Sequence, residues 1–178
     1  MGQLGCSWIE DPNPGLKDLE PQNPLNLCWV IGAGGQRLPA EEYVYRKGCM
    51  LPQYARFVVQ QSGEFVLLKS RDDLQKAYAP ITSEKEALSY ALAATGFQAI
   101  SGFGAPPNYR YFIDQVKDSG AVLTDQGYLV NLYDYRLCGC GPHTTFAVDI
   151  LVKADGTVDE IGRTPAYEDP EQDGLCVD

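Results

Sequence analysis

Histidine is almost absent from this 178-residue chain, which has one, His143. A single imidazole rules out a His-rich metal site and leaves a serine or cysteine nucleophile with one candidate base. The sequence also lacks G-x-S-x-G, H-E-x-x-H and P-loop patterns, so no cofactor is expected. No apolar run approaches the length needed to cross a bilayer, so no transmembrane segment is expected. Basic residues are few: 14 against 24 acidic ones, a formal charge of −10. A surface this acidic repels phosphate backbones, which excludes nucleic acid as a partner.

What the chain does have is six cysteines: Cys6, Cys28, Cys49, Cys138, Cys140 and Cys176. An even set in an acidic, turn-rich chain reads as a disulfide framework and places the protein outside the reducing cytosol: secreted, periplasmic or at the cell surface. No basic start followed by an apolar stretch opens the chain, so the expectation is a mature form from which a leader was removed. The alternative is a cytosolic protein with reduced thiols.

The expected fold class is α+β: a mainly antiparallel sheet, one main helix over residues 83–95 and one short helix, stapled by disulfides. Residues 1–27 contain Pro12, Pro14, Pro21 and Pro24 and are expected to form an extended N-terminal arm. Residues 28–163 form a single domain, and 164–178 an acidic tail. Within the domain, Leu27 to Ile31, Tyr43 to Tyr45 and Arg56 to Gln60 look strand-like, and Phe65 to Lys69 returns after a turn. Gly32-Ala33-Gly34-Gly35 breaks the first strand; it lacks the G-x-G-x-x-G spacing and reads as a flexible loop. Ser70 caps the short helix, which Pro80 ends. Ser83 and Glu86 make a capping box, Ala87, Leu88, Ala91 and Leu92 recur at helical spacing, and Gly96 stops the main helix. A loop with Pro106-Pro107 follows. Ala121 to Thr124, Tyr128 to Leu137, Thr144 to Lys153 and Thr157 to Arg163 read as a meander, with Phe146, Val148, Ile150 and Val152 on one face.

The capped helix SEKEALSYALAATG, followed by long strands and the turn KADGTVDEI, resembles the PepSY and cystatin-like pattern over residues 80–163. In that pattern one helix packs across a curved antiparallel sheet. The loop Gly102 to Pro107 and the cysteines lie outside it. The resemblance implies α+β architecture and interaction rather than catalysis.

Four sets of residues are candidate sites. Cys138, Cys140 and His143 could supply three zinc or copper ligands, with Cys176 a fourth. Their C-x-C-x-x-H spacing is not a common zinc-knuckle spacing, and the competing reading is a loop whose cysteines pair with distant partners. On that reading the expected disulfides are Cys28–Cys49 and Cys140–Cys176; connectivity is not fixed by sequence. Cys6, in the context Leu4-Gly5-Cys6-Ser7, is the candidate lipid anchor, giving a lipid tether. Tyrosine is abundant, with 11 residues, and Tyr109, Tyr111, Tyr133 and Tyr135 form a candidate binding surface because tyrosine offers contact area at low entropic cost; the competing reading is half-buried sheet residues. The tail Glu168 to Gly174 collects carboxylates that suit calcium without EF-hand spacing. The functional expectation is a non-enzymatic binding or inhibitory module with an unknown protein or small-molecule partner. The alternatives are a metal-binding protein using Cys138, Cys140 and His143, or a hydrolase with unassigned carboxylates.

Overall fold

The computed structural model describes residues 4–32, 36–135 and 138–177. The expected glycine-rich break falls on residues 32–35 and the end of the expected strand at Leu137, so Ala33, Gly34, Gly35 and Leu137 lie outside the described residues.

Six consecutive positions, Tyr54 to Val59, are buried in one strand, so both of its faces must be covered. This is β4 (Gln53–Gln61), the centre of the first antiparallel sheet. β2 (Leu25–Ile31) lies on one side of it. β3 (Tyr45–Lys47) and β5 (Glu64–Leu68) share the other side end to end, and β1 (Trp8–Glu10) flanks β2. Ala55, Phe57 and Val59 turn to the core. On the opposite face the Tyr54 ring lies tilted against Tyr43, with centroids 4.9 Å apart. There too the Arg56 guanidinium donates to the Glu42 backbone oxygen at 2.7 Å and its carboxylate at 3.1 Å.

Two helices follow, α1 (Arg71–Tyr78) and α2 (Glu84–Thr95). Ser70 and Ser83 cap them, their hydroxyls accepting from the Asp73 and Glu86 N–H groups. Glu86 reaches one residue further back than a capping box requires: its Oε2 accepts from the Thr82 N–H at 2.7 Å and hydroxyl at 3.0 Å. Gly96 ends α2 at φ +69°, and a Cβ there would run into the Tyr45 ring, so both backbone and packing demand glycine. α2 is buried around most of its circumference. Its small alanines allow close approach, and Ser89 donates to the Gly15 carbonyl at 2.6 Å.

The second sheet runs β6 (Arg110–Tyr111), β11 (Val158–Glu168), β10 (Thr144–Val152), β8 (Gly127–Tyr135) and β7 (Gly120–Thr124), all antiparallel. β9 (Gly139–Cys140) and β12 (Cys176–Val177) make a separate two-stranded ribbon. Val130, Leu132, Val148, Ile150 and Val152 join Leu27, Trp29, Phe57, Leu74 and Tyr78 in one continuous core. The fold is therefore α+β and mostly antiparallel sheet, stapled by three disulfides.

The described parts of the expected arm and tail, residues 4–27 and 164–177, are built into the fold. β1 pairs with β2, and Leu16 and Leu19 enter the core. At the other end β11 runs to Glu168, Asp169 caps a 3-10 turn at Pro170–Gln172, and β12 closes on β9. Apolar residues scattered among the prolines supply the burial that the composition alone conceals.

Candidate functional site

All six cysteines are oxidised, as Cys6–Cys28, Cys49–Cys138 and Cys140–Cys176. The expected Cys28–Cys49 bridge is therefore incorrect. The β1–β2 register sets Ile9 opposite Cys28, and Cys6, just before β1, lies with its Cα 5.4 Å from that of Cys28, within disulfide reach. Cys49, in the loop after β3, instead crosses to Cys138 beyond β8 and ties the two sheets together. Cys140 and Cys176 face each other in the β9–β12 register.

These bonds overturn two site expectations. Cys138 and Cys140 have no thiolate to offer a metal, and His143 is 3% exposed with its Nε2 3.2 Å from the Leu175 carbonyl oxygen. That imidazole secures the C-terminal segment. Among the described residues no three His, Cys, Asp or Glu side chains are grouped to hold an ion, those of the acidic tail included. The Cys6 sulfur is likewise consumed in its bond to Cys28, which removes the thiol a lipid anchor requires.

The four candidate tyrosines separate into two pairs. Tyr133 is 1% exposed, and its hydroxyl donates to the Lys117 carbonyl at 2.7 Å. It is a core residue that holds the following loop, which corrects its assignment as a binding residue. Tyr135 is half-buried and its hydroxyl donates to Gln172 Oε1. Tyr109 and Tyr111 do come together, with two rings that sequence reading did not select, Phe103 and Tyr167. Phe103 lies 4.8 Å from Tyr167, and Tyr109 stacks on Tyr167 at 5.6 Å. Tyr111 is 6.4 Å from each of the other three rings. These separations fall in the attractive range for offset and edge contacts.

A long loop between α2 and β7 builds this cluster. Its neck closes where the Ser119 N–H donates to the Ile100 carbonyl at 2.7 Å and the Ile100 N–H to the Ser119 hydroxyl at 3.0 Å. Compact loops with joined ends are frequently functional. Inside it, Pro106 accepts from both the Tyr109 N–H and the Tyr111 hydroxyl. β6 then pairs with β11, placing Tyr111 opposite Tyr167. The rings anchor the loop, yet none of the four is buried, and Tyr111 is 38% exposed. Tyr167 lies past Arg163, where the expected strand ended and the expected tail began; β11 runs on to Glu168 and carries it into the cluster.

Carboxylates border the rings. Glu168, opposite Arg110, accepts from its guanidinium at 3.1 Å and from the Thr144 hydroxyl at 2.5 Å. Asp173 pairs with the same arginine through Oδ2, and its buried Oδ1 has no donor among the described residues. Asp169 accepts from the Glu171 N–H and the Gln172 amide, both at 3.1 Å. The phenols of Tyr109, Tyr111 and Tyr135 are all held above the ordinary tyrosine value. Desolvation leads in each case; Asp169 adds to it at Tyr109 and Tyr135, and Tyr167 at all three. The rings therefore stay neutral at physiological pH, with electron-rich faces beside anionic groups.

Two cavities lie elsewhere. One of about 330 Å³ sits beneath the proline-rich segment, against Leu16, Leu25 and Tyr78. The other, about 320 Å³, lies where β3, the start of α1, the end of α2 and the β10–β11 hairpin meet. Neither is lined by two carboxylates. No family, curated protein or solved structure matches the chain.

Proposed function

We propose that this chain is an extracytoplasmic binding module that recognises cationic segments of a partner through the platform of Phe103, Tyr109, Tyr111 and Tyr167. The observation that carries the reading is the four-ring cluster, raised on a closed loop and bordered by Glu168, Asp169 and Asp173. Three rings of the loop gather with Tyr167 of β11, and none of the four is buried. Arginine and lysine are attracted to aromatic faces by about 0.5–2 kcal/mol per contact. A chain of net charge −10 steers cations toward such a surface. Three disulfides are compatible with a location outside the reducing cytosol, and an interaction role agrees with the PepSY and cystatin-like resemblance.

The test is titration of the oxidised chain with an arginine-rich peptide, its lysine counterpart and a glutamate-rich control. Tyr111→Ala leaves the net charge unchanged, so it separates ring recognition from bulk attraction. The expected result is binding of the basic peptides, with arginine preferred, weakened about 3- to 10-fold by Tyr111→Ala. Equal affinity of the variant and the parent sinks the platform reading; binding of the acidic peptide sinks the charge preference.

A further inference from the structure

The inter-sheet cleft has the opposite chemistry to the platform. Its mouth carries Arg46 from β3 and Arg71, the first residue of α1. Three other arginines of this acidic chain are in ion pairs: Arg56 with Glu42, Arg110 with Glu168 and Asp173, and Arg163 with Asp134 and Glu160. Arg46 and Arg71 form none among the described residues. The Arg71 Nε donates to the Val44 carbonyl at 3.2 Å, which orients the guanidinium and leaves its two terminal nitrogens without a described acceptor.

One carboxylate, Glu160, also lines the cleft. Arg163 already engages it at both oxygens, Nε to Oε1 at 2.7 Å and a terminal nitrogen to Oε2 at 3.0 Å. The same guanidinium lies 5.5 Å from the centre of the Phe97 ring, fixing one wall of the cleft. The nearby Glu10 carboxylate, whose charge acts on the Tyr45 phenol, accepts from both Trp8 and Trp29 indole N–H groups. Glu160 and Glu10 are thus engaged by Arg163 and by the two indole N–H groups.

The rest of the lining is Tyr43, Tyr45, Thr95, Phe97, Ile150 and Val158, of which Tyr45 and Phe97 contribute flat rings. A bare inorganic anion would satisfy the arginines and leave these walls wet. An arginine fork matches a carboxylate in geometry as well as charge, and small-molecule sites combine apolar walls with a few placed polar groups. We infer that this cleft binds a small organic carboxylate with a flat apolar body, the carboxylate held by Arg46 and Arg71 and the body set against Phe97 and Tyr45. The site is separate from the platform. It meets the β10–β11 hairpin at Ile150 and Glu160, whereas the platform lies near the far end of the same strands, where Tyr167 pairs with Thr145. At the strand rise this is roughly 15–20 Å away.

The experiment is an amide-resolved NMR titration of the full oxidised chain with phenylacetate, its neutral amide phenylacetamide, and inorganic phosphate. Phenylacetate is expected to shift the Thr95, Gly96 and Phe97 amides saturably, with a Kd of about 1 mM for so small a ligand. Arg46→Gln and Arg71→Gln should each weaken it about 5- to 10-fold, and Tyr111→Ala should leave it unchanged. Both arginines are on the surface, so the glutamine variants retain the fold, which their spectra report directly. Three results overturn the inference: no saturable shift below about 20 mM, equal binding of phenylacetamide, or unchanged affinity in both arginine variants. Phosphate producing the same shifts as phenylacetate overturns the role given to the apolar walls.

Discussion

Two aromatic clusters among the described residues differ in what surrounds the same rings. In the first sheet Trp8 stacks on Trp29 at 6.1 Å, Trp29 meets Tyr45 edge-on at 5.9 Å, and Tyr45 leans on Phe57 at 6.4 Å. Trp29, Tyr45 and Phe57 are buried, and the two indole donors are spent on Glu10. In the second sheet Phe103, Tyr109, Tyr111 and Tyr167 stack at similar distances with none buried. Stacking geometry therefore does not distinguish core from contact surface here; exposure and the neighbouring charge do.

The comparison is broken most sharply by truncating one ring in each cluster. Phe57→Ala empties a site that is 1% exposed and should cost about 3–5 kcal/mol in denaturant unfolding, whereas Tyr111→Ala should fall below about 1 kcal/mol. Comparable losses would mean that the surface cluster is a second core. Next in size is the covalent link between the sheets. Removing Cys49–Cys138 with a double alanine substitution should lower stability by about 2–4 kcal/mol while leaving cationic-peptide affinity within about twofold, since both partners lie outside the platform.

Alkaline titration sharpens the contrast. Burial pushes Tyr78 up to about 12 and raises Tyr45 and Tyr90 as well. The unfolded chain then loses phenolic protons first, so stability should decline as pH rises from about 10 toward 12. Ultraviolet titration should show the buried phenols ionising together with unfolding. A single transition at the ordinary value for every tyrosine would contradict their burial. The smallest effect is expected at Glu10, whose pKa is lowered chiefly by the Trp29 indole and then by Trp8. Its contribution is present above the ordinary glutamate value and is lost as pH falls below it. Glu10→Ala should cost only about 1 kcal/mol because the carboxylate is exposed, and tryptophan fluorescence should lose its acid-range titration.

Local signals were read well from sequence where a single residue type does the work. Ser70, Ser83 and Gly96 bound the helices because capping and left-handed φ are local properties. The clean alternation of β10 placed Val148, Ile150 and Val152 in the core. What escaped depends on contacts between distant segments. Cys28 pairs with Cys6, which precedes β1, and β1 lies in a stretch whose prolines argued for coil. Phe103 and Tyr167 meet only once a long loop returns to β11, so sequence could offer Tyr109 and Tyr111 but not the group they belong to. Tyr133, offered from sequence as a binding residue, is core: its backbone pairs with Gln98 and its hydroxyl donates to the Lys117 carbonyl.

The disulfide order also sets how the molecule carries tension. Cys6–Cys28, Cys49–Cys138 and Cys140–Cys176 follow one another without overlap. A pull applied at the two ends crosses each bridge and loads only residues 28–49 and 138–140 of the backbone between Cys6 and Cys176. All four platform rings, both helices and β4 sit in the bypassed segments. Stretched to its limit, the loaded path between Cys28 and Cys49 spans about 75 Å. A pull on the two chain ends therefore extends that path first, and the platform lies off the covalent line of force.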